Sequence, residues 1–255
     1  MTRHFLVIGG QRCGTTWLHH QLEAHPQVAM ARPARPEPKV FLHDLSPDQD
    51  RAWYVDTWFA HASPDQVLGE KSTSYVDRPD AIPRVRALLG DIPLVVQLRD
   101  PVARAVSHWR FSSEHGLEQR PLTEALRANL EGPLPWDPSA TSVSPYAYLE
   151  RGRYADSVGP WLEAFGDLLH VQFLEELLAQ PGLFAETLAH IGVDSALTPD
   201  VDLAPVNTSA GDEELLDPSI EAEVRQSFTE SDRELAALLG RNLPWQNDRD
   251  EEPRR

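Results

Sequence analysis

One cysteine, two lysines and no long apolar run: each scarcity in this 255-residue sequence removes a class of explanation. Cys13 alone closes no internal disulfide, so nothing points to an oxidising compartment. A membrane span needs roughly 20 consecutive apolar residues, and no stretch approaches that. The apolar segment near the N-terminus, Phe5-Leu-Val-Ile8, is too short for a signal-peptide core and runs straight into glycines, so the expected location is cytoplasmic. Positive charge is scarce as well. The formal net charge is −17, and it is unevenly spread: residues 1–110 hold 13 Lys/Arg against 12 Asp/Glu, residues 111–255 hold 10 against 28. Such an acidic excess repels polyanions, which argues against nucleic acid as a partner. A small anion can still be held, because local geometry decides that.

The chain has 41% hydrophobic residues, enough for a core. Of its 23 basic residues only Lys39 and Lys71 are lysines. A compact ammonium on a flexible stem does different work from a planar guanidinium fork, which makes both candidates for function. The ten histidines do not combine with Cys13 or with carboxylates at metal-ligand spacing, so no metal is expected.

Residues 4–9 read as a buried strand, 9–14 as a glycine loop, and 15–24 as a helix with apolar residues at helical spacing. Further strands are expected at 67–69, 94–98 and 168–173. Helices are expected near 53–60, 80–90, 101–111, 121–131, 146–165, 174–192 and 218–240. Pro101 suits a first helical turn, with Asp100 as its cap. The proline-rich segments 32–38 and 132–145 read as loops, the second a candidate mobile loop, and 246–255 as a disordered tail. Strands alternating with helices predict an α/β fold with a central, mainly parallel sheet of four or five strands covered by helices on both faces. No composition shift marks a linker, so a single P-loop-like domain over residues 1–245 is expected.

The segment Gly9-Gly10-Gln11-Arg12-Cys13-Gly14-Thr15-Thr16 lies between that strand and helix, where backbone N–H groups and the helix N-terminus form an anion site. It nearly fits G-x-x-x-x-G-K-[ST], but Thr15 occupies the lysine position and the basic residue is Arg12. A nucleoside-triphosphate site also uses an acidic residue at a neighbouring strand end to hold magnesium. Here the strand 94–98 is followed by Arg99. Two anion sites without a magnesium ligand describe a ligand phosphorylated at both 5′ and 3′ positions.

Three ordered segments resemble the sulfotransferases that use 3′-phosphoadenosine 5′-phosphosulfate (PAPS). Phe5–Leu18 resembles their 5′-phosphosulfate loop. Val95–Trp109 resembles their 3′-phosphate motif, R-D-P-x-x-R-x-x-S, and Glu70-Lys71-Ser-Thr-Ser-Tyr75 resembles E-K-[ST]-x-x-Y. The similarity covers about residues 4–175 and is nearest the branch holding heparan sulfate sulfotransferases and many bacterial members. It implies that Gln11, Arg12, Cys13, Gly14, Thr15, Thr16 and Trp17 form the donor loop and that Arg99 and Ser107 bind the 3′-phosphate. Arg104 fits a salt bridge or a ligand contact equally. Arg12 stands where many members have lysine. Arg35-Pro-Glu-Pro-Lys-Val-Phe41 resembles K-E-x-[HK]-F-F, which makes Glu37 the implied base, with His43 and His108 as alternates. A carboxylate of ordinary pKa, near about 4.3, is a weak base unless its surroundings raise it.

In an extended segment Lys39 would share a face with Glu37, and Lys71 would end a strand near the same pocket. Both lysines thus fall in matched motifs. The implied activity is in-line sulfuryl transfer from PAPS to an acceptor hydroxyl, with Glu37, Arg12 and Lys71 catalytic. The acidic C-terminal part suits a neutral or cationic small molecule, such as a secondary metabolite or a glycolipid, better than a polyanionic sugar chain. Lys39, Trp136 and Tyr146, with Tyr148, are candidates for lining the acceptor pocket. Asn207, Thr208 and Ser209 are candidates for closing over the ribose phosphate. Two rivals remain: a P-loop kinase, which would need magnesium and ATP, and a non-catalytic nucleotide-binding module.

Overall fold

The computed structural model describes residues 3–137, 139, 141, 143–197 and 215–247. Its strands are β1 (His4–Gly9), β2 (Val28–Met30), β3 (Val67–Lys71), β4 (Leu94–Leu98) and β5 (Leu169–Phe173). Its helices are α1 (Thr15–Ala24), α2 (Arg51–Trp58), α3 (Ile82–Leu89), α4 (Pro101–Glu114), α5 (Leu122–Leu130), α6 (Tyr154–Phe165), α7 (Leu174–Ala179), α8 (Phe184–His190), α9 (Pro218–Ser227), α10 (Thr229–Leu239) and α11 (Pro244–Asn247). The chain divides into two compact units, Met1–Leu98 with Pro160–Val206 and Arg99–Gly159 with Asn207–Arg255.

The first unit holds a single five-stranded sheet in the order β2-β3-β1-β4-β5, every pairing parallel, with helices around it. β1 and β3 are buried along their whole length, as strands covered on both faces must be. Phe5, Val7 and Val95 of the sheet join Trp17, Leu18 and Leu22 of α1 and Phe184 and Leu188 of α8 in one core cluster. Because all strands run in parallel, the segments following β1, β2, β3 and β4 leave from one edge. In open α/β sheets that carboxyl edge is where ligands bind.

The second unit has its own core, in which Val102, Ala105 and Trp109 of α4 meet Leu122 and Leu126 of α5, Tyr148, and Ile220, Val224 and Phe228. Asp100 caps α4 by accepting the Ala103 N–H, with Pro101 in the first turn, as the sequence predicts.

Several elements differ from the sequence expectation. β2, three residues at the sheet edge, carries no periodic signal of its own. The expected helix over 146–165 begins only at Tyr154. Upstream of it the backbone is spoken for by side chains: the Tyr148 carbonyl accepts from Arg104 Nη2 and the Leu149 N–H donates to Asn129 Oδ1 at 2.9 Å. Gly152 follows in a tight 3-10 turn, where a Cβ would lie 2.6 Å from the Phe228 ring. The expected helix over 218–240 is two helices broken at Phe228, whose fully buried ring anchors the bend. Gln246 and Asn247, placed in the expected tail, belong to α11, and residues 248–255 lie outside the described residues.

Candidate active site

The loop from Gly9 to Gly14 joins the central strand to α1. Gly14 has φ +79°, a left-handed conformation that costs an L-residue with a side chain about 1 kcal/mol or more, and a Cβ there would lie 2.9 Å from Gln97 Nε2. α1 begins at this glycine with no acidic residue in its first turn and, among the described residues, no side-chain cap. Its leading N–H groups are therefore left for an anion. Thr15 and Thr16 occupy that turn, and Arg12 is half-buried in the loop with its own left-handed φ of 65°. Gln11 ties the loop to the end of β3, its Nε2 donating to Ser74 Oγ at 3.2 Å. The side chains of Cys13 and Trp17 turn elsewhere. The thiol is buried against the Gln11 carbonyl, and the indole packs edge-on to Phe184 in the core.

Glu37 lies in the loop that follows β2, and the structure brings it to the end of β3. Its Oε1 is 2.5 Å from Lys71 Nζ, and its Oε2 accepts the Thr73 N–H and hydroxyl, each at 3.0 Å. Lys71 is 8% exposed and Glu37 16%, so this ion pair is largely shielded from water. Lys39 does not share an extended face with Glu37. It adopts φ 53° and starts the turn Val40–Leu42, because its N–H is committed to Ser72 Oγ at 2.9 Å.

Beneath this pair lies Glu70, fully buried. It accepts from Ser72 Oγ at 2.6 Å, from Tyr75 OH at 2.5 Å and from Tyr54 OH at 2.6 Å. Burial pushes its carboxyl above the usual range, and the three hydroxyl bonds partly offset that. Ser72 and Tyr75 in turn accept the N–H groups of Lys39 and Phe41. Glu70 thus holds the segment 39–41, immediately after Glu37, through two hydroxyl bridges. The sequence motif contains Glu70 and Tyr75 but gives no sign of this job.

His43 is exposed and His108 is buried against the Tyr148 ring at 5.1 Å. His19 is buried on α1 with no hydrogen-bond partner among the described residues, and burial, then the Lys71 charge, lowers its pKa to about 4. It is neutral at pH 7.

In the second unit Arg99 directly follows β4 and is half-buried, its carbonyl accepting from Tyr154 OH at 2.9 Å. Ser107 is half-buried on α4. Arg104, which the sequence leaves open, is fully buried, and its Nη2 bonds the Tyr148 carbonyl. Trp136 and Tyr146 line a cavity of about 450 Å³ with Leu117, Pro135 and Asp137. Tyr148 is a core residue instead, bonded to Glu118 at 3.0 Å. Asn207, Thr208 and Ser209 lie outside the described residues. Among the described residues no helix is long and apolar enough to cross a membrane.

Sequence reasoning overlooked Gln97, Gln172 and Thr187, all buried, which connect to the loop. A signal was present: a glutamine inside the buried run Leu-Val-Val-Gln-Leu must find partners for its amide.

Residues 2–175 match the family model of the sulfotransferase domain. Heparan sulfate glucosamine 3-O-sulfotransferase 3B1 of Mus musculus is 31% identical over 180 residues, which cover 69% of this chain and 42% of that protein. The membrane-associated sulfotransferase kil1 of Dictyostelium discoideum is 30% identical over 111 residues, 43% of this chain and 23% of that one. The chain thus spans less than half the length of these curated relatives. A crystal structure of a sulfotransferase from Alicyclobacillus acidocaldarius superposes with a TM-score of 0.75 at 22% identity, covering 97% of this chain and 99% of the other.

Proposed function

The chain belongs to the sulfotransferase family, and on that premise we propose that it transfers a sulfuryl group from PAPS to the hydroxyl of a small-molecule or glycolipid acceptor. The observation that carries this reading is the Glu37–Lys71 pair at 2.5 Å, held by Thr73 next to Ser74, to which the glycine loop is tied through Gln11. A carboxylate, an ammonium and a loop of anion-binding N–H groups at one sheet edge supply what in-line transfer requires.

At rest the Glu37 carboxylate is occupied by Lys71 and Thr73. When the donor binds, its sulfonate oxygens compete for Lys71 Nζ, which frees one carboxylate oxygen to accept the acceptor's proton. The acceptor oxygen then attacks sulfur and the bond from sulfur to the 5′-phosphate oxygen breaks. The charge appearing on that oxygen is neutralised by Arg12 and by the N–H groups of Gly14, Thr15 and Thr16. Arginine spreads its charge over two oxygens, which suits the leaving phosphate. Arg99 and Ser107 are assigned to the 3′-phosphate on the match to R-D-P-x-x-R-x-x-S. No metal takes part in this scheme.

For the acceptor, the cavity beside Trp136 and Tyr146 offers aromatic faces together with the Asp137 carboxylate. Bonds from Ser139 keep that carboxyl below its ordinary range, hence ionised at neutral pH. Such a lining favours a neutral or cationic acceptor. Calorimetry with adenosine 3′,5′-bisphosphate and with Mg-ATP, followed by incubation of labelled PAPS with a panel of small hydroxyl acceptors, tests the reading. Bisphosphate binding with label transfer supports it. Tight magnesium-dependent ATP binding identifies a kinase, and bisphosphate binding without transfer to any acceptor identifies a non-catalytic module.

A further inference from the structure

We propose that Thr187, Gln172 and Gln97 form a buried hydrogen-bond relay that sets the orientation of the Cys13–Gly14 peptide and thereby the affinity of the glycine loop for a 5′-phosphate. The inference rests on the reading of that loop as the donor's 5′ site. The three residues sit on α8, β5 and β4, and Gln97 and Gln172 are register partners on adjacent strands. Thr187 and Gln97 are fully buried and Gln172 is 6% exposed, so none of these side chains lies on the surface.

The bonds run in one direction. The Thr187 hydroxyl donates to Gln172 Oε1, Gln172 Nε2 donates to Gln97 Oε1 at 2.7 Å, and Gln97 Nε2 donates to the Cys13 carbonyl at 2.6 Å. Gln97 also takes the Gly10 N–H on its own backbone carbonyl at 2.7 Å. One residue therefore holds both ends of the loop.

An amide can sit either way round, and its surroundings choose. Were Gln97 turned over, its oxygen would face the Cys13 carbonyl and its NH2 would face the NH2 of Gln172. The Cys13 carbonyl, which can only accept, fixes the observed arrangement at the near end, and the Thr187 hydroxyl supports it at the far end by donating to the Gln172 oxygen.

The consequence for binding follows from the peptide plane. In a trans peptide the C=O of one residue and the N–H of the next point to opposite sides. Drawing the Cys13 carbonyl down onto Gln97 therefore directs the Gly14 N–H away from the core, toward an anion in the loop. Gly14 in its left-handed conformation packs against the same Gln97 amide.

The test uses two ligands that differ only in the 5′-phosphate, adenosine 3′,5′-bisphosphate and adenosine 3′-monophosphate, titrated calorimetrically into the wild type, Thr187→Val, Thr187→Ser and Gln97→Leu. Losing one buried hydrogen bond in the relay should weaken bisphosphate binding by Thr187→Val about 3- to 10-fold. The 3′-monophosphate should bind that variant unchanged, and Thr187→Ser should restore wild-type affinity. Gln97→Leu should show the larger loss. If Thr187→Val binds the bisphosphate as the wild type does, or loses both ligands equally as a loosened fold would, the relay is overturned. A wild type that binds the two ligands equally well overturns instead the loop assignment on which the relay depends.

Discussion

Lys71 Nζ and Glu37 Oε1 stand 2.5 Å apart although 34 residues separate them in sequence. Lys71 is fixed by its place at the end of β3, whereas Glu37 reaches it from a loop between two prolines, so the pair forms only when the segment 32–38 folds back onto the sheet edge. The two partners have separable consequences. Glu37→Gln keeps the shape and removes the proton acceptor. Transfer should fall about 10²- to 10⁴-fold, the usual contribution of a general base, with bisphosphate affinity within about twofold of wild type. Lys71→Met should also slow transfer, and in addition should cost about 3 kcal/mol of stability by stranding a shielded carboxylate. Labelled-PAPS kinetics and urea unfolding of both variants check this. Wild-type turnover by Glu37→Gln would remove Glu37 as the base.

What the sequence made legible follows from how local each signal is. β1, its glycine loop and α1 are contiguous and show as an apolar run, glycines and a helical repeat, and Pro101 with Asp100 marks the start of α4. The helix expected over 146–165 starts only at Tyr154, because distant side chains, Arg104 and Asn129, claim backbone groups that its first turns would have used. Phe228 broke a long amphipathic pattern for a similar reason, since its burial is decided by the rest of its core. Glu37 was visible through resemblance alone. Nothing periodic distinguishes a glutamate between prolines, and its partners lie 34 and 36 residues away.

Gly14 should tolerate no side chain. Gly14→Ala imposes a left-handed alanine, which costs about 1–2 kcal/mol, and pushes a methyl against Gln97 Nε2 and Leu174. The expected result is a lower urea midpoint together with bisphosphate affinity reduced at least tenfold. Gly240→Ala makes a useful control, because Gly240 is also left-handed, with φ +63°, and has open space around it. That variant should lose stability and keep affinity.

Tyr75 bridges the buried Glu70 and the Phe41 N–H, so Tyr75→Phe leaves two buried groups short of a partner. A destabilisation of about 1–3 kcal/mol is expected. Tyr54→Phe removes another hydroxyl from the same carboxylate without touching segment 39–41. If Glu70 acts by positioning the chain beside Glu37, Tyr75→Phe should lower kcat more than Tyr54→Phe at similar loss of stability, with KM for PAPS equal in both. Equal kcat values would mean that Glu70 serves folding only.

His4 sits on the central strand, 2% exposed, beside Tyr54 and edge-on to Phe59, and neither ring nitrogen has a hydrogen-bond partner among the described residues. Burial, aided by Arg51, lowers its pKa from 6.5 to about 4. Between those two values the unfolded chain takes up a proton that the folded chain refuses, so stability falls as the pH drops from 6.5 toward 4 and is unaffected by His4 above that window. His4→Phe removes the titration and keeps an aromatic ring in the same niche. Relative to wild type, the variant should therefore gain about 2 kcal/mol between pH 7 and pH 5, since each pK unit is worth about 1.4 kcal/mol. Urea unfolding at the two pH values measures this difference directly, and the contributions of His19 and His170, which burial also lowers to about 4, cancel in the comparison. An identical pH dependence in variant and wild type would show that His4 is protonated in the fold after all.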